Sequence, residues 1–167
     1  MPEEKDIQVP APSYETSEKG RVLALDWGTK RIGIAVSDEL RLTARALPAL
    51  RRASWKHLLE ELSGLLREFD VQRVVFGLPL RLDGTEGDAA REVRRVSENL
   101  NLSLRVPVSL QDERMTSLEA EGNLRASGFD ETEVSRRRDS ESARLILLDY
   151  LAQSDSKDAP PSIPEEL

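Results

Sequence analysis

A short apolar run, Val22-Leu23-Ala24-Leu25, ends on Asp26 within the stretch VLALDWGTKRIGIAVSDE (22–39). A continuous run of that kind reads as a central strand, and ligands and catalytic groups tend to sit at its carboxyl end. Two further acids hold comparable places. Asp112 or Glu113 follows the strand-like VPVSL (106–110), and Asp139 lies four residues before Ala143 on the apolar face of a last helix, near its start. Carboxylates gathered over one sheet edge repel one another and cannot all ionise cheaply without a cation between them. Mg²⁺ or Mn²⁺ takes hard oxygen ligands, keeps several waters and bridges phosphate oxygens, so such a cluster suits in-line hydrolysis of a phosphodiester with one or two metals. The plainer alternative makes each acid a cap or an ion-pair partner, Asp139 beside Arg138 and Asp112-Glu113 beside Arg114. All three at element ends favours a site. The chain has no cysteine, which excludes thiolate ligands and nucleophiles, and its one histidine, His57, falls off the apolar stripe of a helix and reads as exposed.

The elements that must position these acids follow from periodicity. IGIAVSD (32–38) and TARALPALR (43–51) read as second and third strands, joined to the first by the tight Gly28-Thr29-Lys30-Arg31 connection, an antiparallel meander. Ser54 caps a helix that buries Trp55, Leu58, Leu59, Leu62, Leu65, Leu66 and Phe69. RVVFGLPL (73–80) is a fourth strand, RLDGTEG (81–87) a glycine-rich loop, and the next helix carries Ala89, Val93, Val96 and Leu100 on one face. The fifth strand, 106–110, precedes a helix capped by Thr116 or Ser117, and the last helix, 139–153, buries Ala143, Ile146, Leu147, Tyr150 and Leu151. Strand–helix–strand alternation implies parallel pairing of strands four and five through right-handed crossovers. The expected architecture is therefore α/β, a mixed five-stranded sheet with antiparallel strands one to three, parallel strands four and five, and helices on both faces. That is the order of the ribonuclease H-like fold.

The formal charge of −7 is concentrated at the ends: residues 1–20 and 154–167 each carry −3, which leaves −1 for 21–153. Both end segments hold prolines among polar residues and read as flexible tails around one folded domain, 21–153. Arginines cluster as Arg51-Arg52, Arg91 with Arg94-Arg95, and Arg136-Arg137-Arg138, so positive patches for nucleic acid exist within a near-neutral body, Arg137 and Arg138 nearest the third acid. Neither a long apolar run nor a signal-peptide pattern is present in these 167 residues, so a cytoplasmic protein is expected.

ALDWGTKRIGIAVSD, VVFGLPLRLDGTEG, VPVSLQDERMTSLEA and DSESARLILLDYL resemble, in order and spacing, the four blocks of the YqgF/RuvX family, over nearly all of residues 21–151. The family is described both as Holliday junction resolvase-like and as a nuclease that processes the 5′ end of precursor 16S ribosomal RNA. The resemblance implies a divalent metal, Asp26 as the first ligand, Glu113 as the second with Asp112 as its neighbour and substitute, and Asp139 as the third. It places Lys30 and Arg31 at positions to contact phosphate, Arg114 where it would position nucleic acid, and Gly77, Pro79, Gly84, Thr85 and Gly87 in a loop whose N–H groups approach a phosphate; a turn without ligand explains the loop equally well. The chain departs from the pattern twice. Many nucleases of this superfamily carry an acid at the end of the fourth strand, where this sequence reads Gly77-Leu78-Pro79, and Ser142 stands where the family usually has alanine.

Two other classes start from the same residues. DWGTKRIGIAVSD also resembles the first phosphate-binding hairpin of actin-like ATPases and sugar kinases, but those bind nucleotide between two such domains and this chain supplies one. A non-catalytic nucleic-acid or ribosome-binding protein would use the arginines alone. The expectation is a metal-dependent nuclease of precursor rRNA, with a junction resolvase, which would need a homodimer to present two sites, as the alternative on branched DNA.

Overall fold

In the computed structural model, residues 20–113 and 116–157 are described, with the side chains of 116–117 and 155–157 excepted. Arg114 and the side chains of Thr116 and Ser117 therefore lie outside the described residues, as do most of the two expected tails. Strand β1 (Arg21–Trp27) pairs antiparallel with β2 (Arg31–Ser37), and β2 with β3 (Ala44–Arg51). On its other side β1 pairs parallel with β4 (Val71–Leu78), and β4 with β5 (Val108–Asp112), giving the sheet order β3-β2-β1-β4-β5. This is the expected ribonuclease H-like order.

The apolar run 22–25 is central because it is covered on both faces. Leu23 and Leu25 point to a core shared with Leu58 and Leu62 of α1 (Trp55–Glu68) and with Val93, Val96 and Leu100 of α2 (Asp88–Ser103). Val22 and Ala24 alternate to the opposite face, under Ala143, Leu147 and Leu151 of α4 (Glu131–Lys157). The short helix α3 (Thr116–Ala126) packs on α4 rather than on the sheet. Ser54 caps α1 as expected, its Oγ accepting from the His57 N–H at 3.3 Å, and His57 is exposed.

Several expectations about the helices need correction. The last helix begins at Glu131, about two turns before Asp139, because Asp130 caps it, its Oδ1 accepting from Glu133 N–H at 2.9 Å. It continues to Lys157, so residues 154–157 are helical where a tail was expected. On α2 the buried alanine is Ala90 and not Ala89, which is exposed: both satisfy a three- or four-residue spacing to Val93, and only the helix phase separates them. Trp55, at the first position of α1, is also exposed, and Tyr150 is half-buried.

Candidate active site

Side-chain alternation fixes which acids can meet. Asp26 continues the parity of Val22 and Ala24 and so faces α4, and its antiparallel partner is Gly33. On the other flank Leu25 pairs with Phe76 and Gly77 with Gln111, so Gly77 and, two residues past Gln111, Glu113 lie on that same face. Asp112 is opposite Leu78 and takes the parity of the α1/α2 face instead. Of the two adjacent acids it is Glu113 whose carboxyl hydrogen-bonds that of Asp26. Its backbone is tied down as well, with Glu113 N–H donating to Leu78 O at 3.1 Å.

Two glycines make this possible, and no pattern in the sequence signals either role. A Cβ on Gly77 would strike the Glu113 carboxylate and come within 2.5 Å of Ile146 Cδ1. The missing side chain on β4 is thus the space in which the acid from β5 lies. Gly77 belongs to strand β4 and not to the following loop. A Cβ on Gly33 would collide with the Asp139 backbone carbonyl, so only glycine lets α4 rest on β2 at that residue. Beside it the β2–β3 ladder shifts register between Ile32 and Ile34 opposite Pro48, which has no N–H to give, and Ile34 N–H donates to Ser140 Oγ at 3.3 Å. Asp139 is therefore set by helix-to-sheet contact, across Gly33 from Asp26.

The Asp26–Glu113 pair is only partly open to solvent. Burial pushes the Asp26 carboxyl up to about 6, with the neighbouring Asp139 charge adding to the rise; burial and then the Asp26 charge push Glu113 up to about 9. One proton is shared between the two through neutral pH. The third acid is engaged differently: Arg31 Nε lies 3.3 Å and Arg138 Nε 3.9 Å from the Asp139 carboxylate. Among the described residues no group of three His, Cys, Asp or Glu side chains is closed up as a metal cage. The donor set nonetheless fits a hard divalent cation. Two carboxylates are held in contact, which like charges tolerate only through a proton or a cation, and a third stands near enough to raise the Asp26 pKa.

The expected basic contacts divide. Arg31 joins the site, its NH2 group donating to Ser135 O at 3.1 Å and its Nε facing Asp139. Arg138 also reaches Glu121 at 3.2 Å, while Arg137 is turned away toward Glu133 at 2.8 Å and stacks on Phe129 at 4.5 Å. Lys30 is exposed on the β1–β2 hairpin, which closes through Gly28 N–H to Arg31 O at 3.0 Å. Arg52 braces that hairpin from β3's end, lying 4.6 Å over the Trp27 ring and bonding Gly28 O at 3.2 Å and Glu92 at 2.7 Å. The glycine-rich loop is closed on itself: Arg81 N–H goes to Thr85 O, Gly84 N–H to Arg81 O and Thr85 N–H to Asp83 Oδ1. Of the two readings of this loop, these three donors fit the turn without ligand and not the phosphate cradle.

The sequence profile of RuvX, described as "Holliday junction resolvase", matches residues 20–153. The chain belongs to the RuvX family. A curated relative from Syntrophus aciditrophicus (strain SB), named "Putative pre-16S rRNA nuclease", is 44% identical over 131 residues, 78% of this chain and 87% of its own length. One of the same name from Burkholderia mallei (strain SAVP1) is 39% identical over 139 residues, covering 83% and 92%. Among solved structures, the Fowlpox virus resolvase in complex with Holliday junction DNA superposes with a TM-score of 0.50 at 10% identity, over 80% of this RuvX chain and 98% of that one. At that identity the likeness establishes the fold. No helix among the described residues is long and apolar enough to cross a membrane.

Proposed function

We propose that this RuvX-family chain is a cytoplasmic, divalent-metal-dependent endonuclease that trims the 5′ end of precursor 16S rRNA, with Asp26 and Glu113 as the paired ligands and Asp139 as the third. The observation that carries this reading is the Asp26–Glu113 contact itself, two carboxyl groups held together on the α4 face in space left free by Gly77. A structural role explains it poorly, since a buried acid pair costs stability at neutral pH. Mg²⁺ or Mn²⁺, once bound, supplies a Lewis acid for the scissile phosphate and a water of lowered pKa. The protein's part is to fix ligand positions from three elements, β1, the end of β5 and α4, and to release the proton shared by Asp26 and Glu113. Arg31 and Arg138 face Asp139 at the rim, where a backbone phosphate can take their donors. The curated relatives' name supports rRNA over a phosphotransfer role.

The test is cleavage of two labelled substrates, a precursor 16S rRNA 5′ leader and a four-way DNA junction, with Mg²⁺ or Mn²⁺, by the native chain and by Asp26→Asn. Metal-dependent cutting of the leader that Asp26→Asn abolishes is the expected result. Cutting of the junction alone, by a dimer, moves the assignment to the family's resolvase description; binding of either without cutting by the native chain defeats the nuclease reading.

A further inference from the structure

Beside the carboxylates, on the far side of Arg31, a groove of about 1040 Å³ runs between β3, the end of α3 and the first half of α4. Its floor is apolar, from Leu47, Pro48 and Ala49 of the edge strand with Leu124 and Phe129 opposite. Its rim carries four arginines, Arg31, Arg136, Arg137 and Arg144, against one lining acid, Glu141, in a chain whose net charge is −7. Of its lining, only Arg31 enters the site chemistry described so far.

We propose that this groove binds the single-stranded segment of the nucleic-acid substrate that flanks the scissile phosphate, with backbone phosphates on Arg136 and Arg137 and a base taking the place of the Arg137 guanidinium, which lies 4.5 Å over the Phe129 ring. The proposal rests on the nuclease reading for what is cut, but the binding it describes is measurable without any cutting. Proximity comes first: Arg31 lines the groove and also contacts Asp139, so one guanidinium borders both the acids and the groove. Charge comes second. Arg136 and Arg137 share one oxygen of Glu133, at 2.9 and 2.8 Å, so two cations face one carboxylate. Their side chains are 64% and 48% exposed, and ion pairs that open are readily exchanged for phosphate. The floor decides between strands. In a duplex the base faces are stacked inside, whereas unpaired bases offer them to an apolar and aromatic surface. A single aromatic gives no base code, so the contact is sequence-tolerant. A second copy of this chain is the competing occupant, since β3 is an edge strand of the sheet among the described residues.

The experiment is fluorescence anisotropy in EDTA with the full chain and three labelled probes: a 12-nucleotide oligo-U RNA, oligo-dT of the same length and a 12-base-pair RNA duplex. Phe129→Ala is expected to weaken both single strands about tenfold or more, within the roughly 5- to 150-fold spanned by one stacked base, and to leave the duplex unchanged. Phe129→Tyr is expected to restore binding. The exposed double variant Arg136→Gln/Arg137→Gln, which does not depend on the floor, is expected to lower the salt slope for single strands by about 1.4, or roughly 0.7 for each phosphate that is no longer neutralised. A larger effect on RNA than on DNA assigns the groove to RNA; equal effects assign it to either backbone. Unchanged single-strand binding in both variants, equal losses on the duplex, or a change in oligomeric state by light scattering without a change in binding overturns the proposal. Should the native chain bind in this way and cut nothing, the nuclease reading fails and the groove stands; should it cut normally with the groove variants binding as wild type, the reverse holds.

Discussion

Replacing Glu113 by glutamine should make the metal-free protein more stable, by an amount set by pH. Glu113 ionises near 4.5 in an unfolded chain and only at about 9 beside Asp26, so the folded state must hold a proton the unfolded state releases. A carboxyl raised in this way is without penalty below its unfolded value, and stability falls as pH climbs from there toward the folded value. At 1.4 kcal/mol per pH unit the penalty is below about 1 kcal/mol at pH 5, about 3 at pH 7 and about 5 at pH 8. Glutamine is neutral in both states, nearly the same shape, and can donate an amide N–H to Asp26 in place of the shared proton. Urea unfolding in EDTA at pH 5 and pH 8 measures the difference directly. The expected result is near-equal stability at pH 5 and a variant stabilised by several kcal/mol at pH 8, which for a chain of this size corresponds to roughly 10 °C or more in Tm. Equal stability at both pH values, or a variant weaker at pH 8, refutes the assignment of the strained acid to Glu113. Mn²⁺ binding by calorimetry should fall in the same variant.

Other substitutions test neighbouring parts of the site. Gly77→Ala places a methyl where the Glu113 carboxylate lies, and is expected to cost about 1–3 kcal/mol and to reduce cleavage about a hundredfold through ligand displacement, measured by thermal melts and single-turnover cutting. Arg31→Ala removes the guanidinium 3.3 Å from Asp139, and should tighten Mn²⁺ binding in isothermal titration while weakening RNA binding; loss of both would show that Arg31 only holds the fold. Ser142 is buried and its Oγ has no hydrogen-bond partner among the described residues, so Ser142→Ala is expected to stabilise the protein by about 1 kcal/mol in urea unfolding without changing metal affinity.

The strand order and the place of Asp26 can be read from the chain, because a continuous apolar run marks a central strand and short connections force a meander, whereas the choice between Asp112 and Glu113 needs the β4–β5 register, which puts Gly77 opposite Gln111 and so Glu113 on the Asp26 face. The helices are less legible at their ends. Periodicity starts the last helix at Asp139 because its apolar stripe begins at Ala143, whereas the element itself starts where Asp130 satisfies the free N–H groups, a local hydrogen-bond fact with no hydrophobic period. The loop 81–87 carries the glycines of an anion cradle and of an ordinary turn alike, and only the direction of its N–H groups, inward to Thr85 O, Arg81 O and Asp83, distinguishes them. Asp139 illustrates the converse. Its residue type and place suit a ligand, yet no one-dimensional pattern reveals that Arg31, more than a hundred residues earlier, reaches it.

The absence of a side chain at Gly77 ties two distant positions into one functional unit. An acid needed beside Asp26 can be delivered from β4 directly, or from the neighbouring strand across an empty place on β4, and the sheet gives the same point in space either way. Positions 77 and 113 are then free to change only in concert: a carboxylate at 77 is tolerated where 113 is small, and glutamate at 113 requires glycine at 77. In this chain the fourth strand contributes the space and the segment after the fifth contributes the carboxylate that fills it.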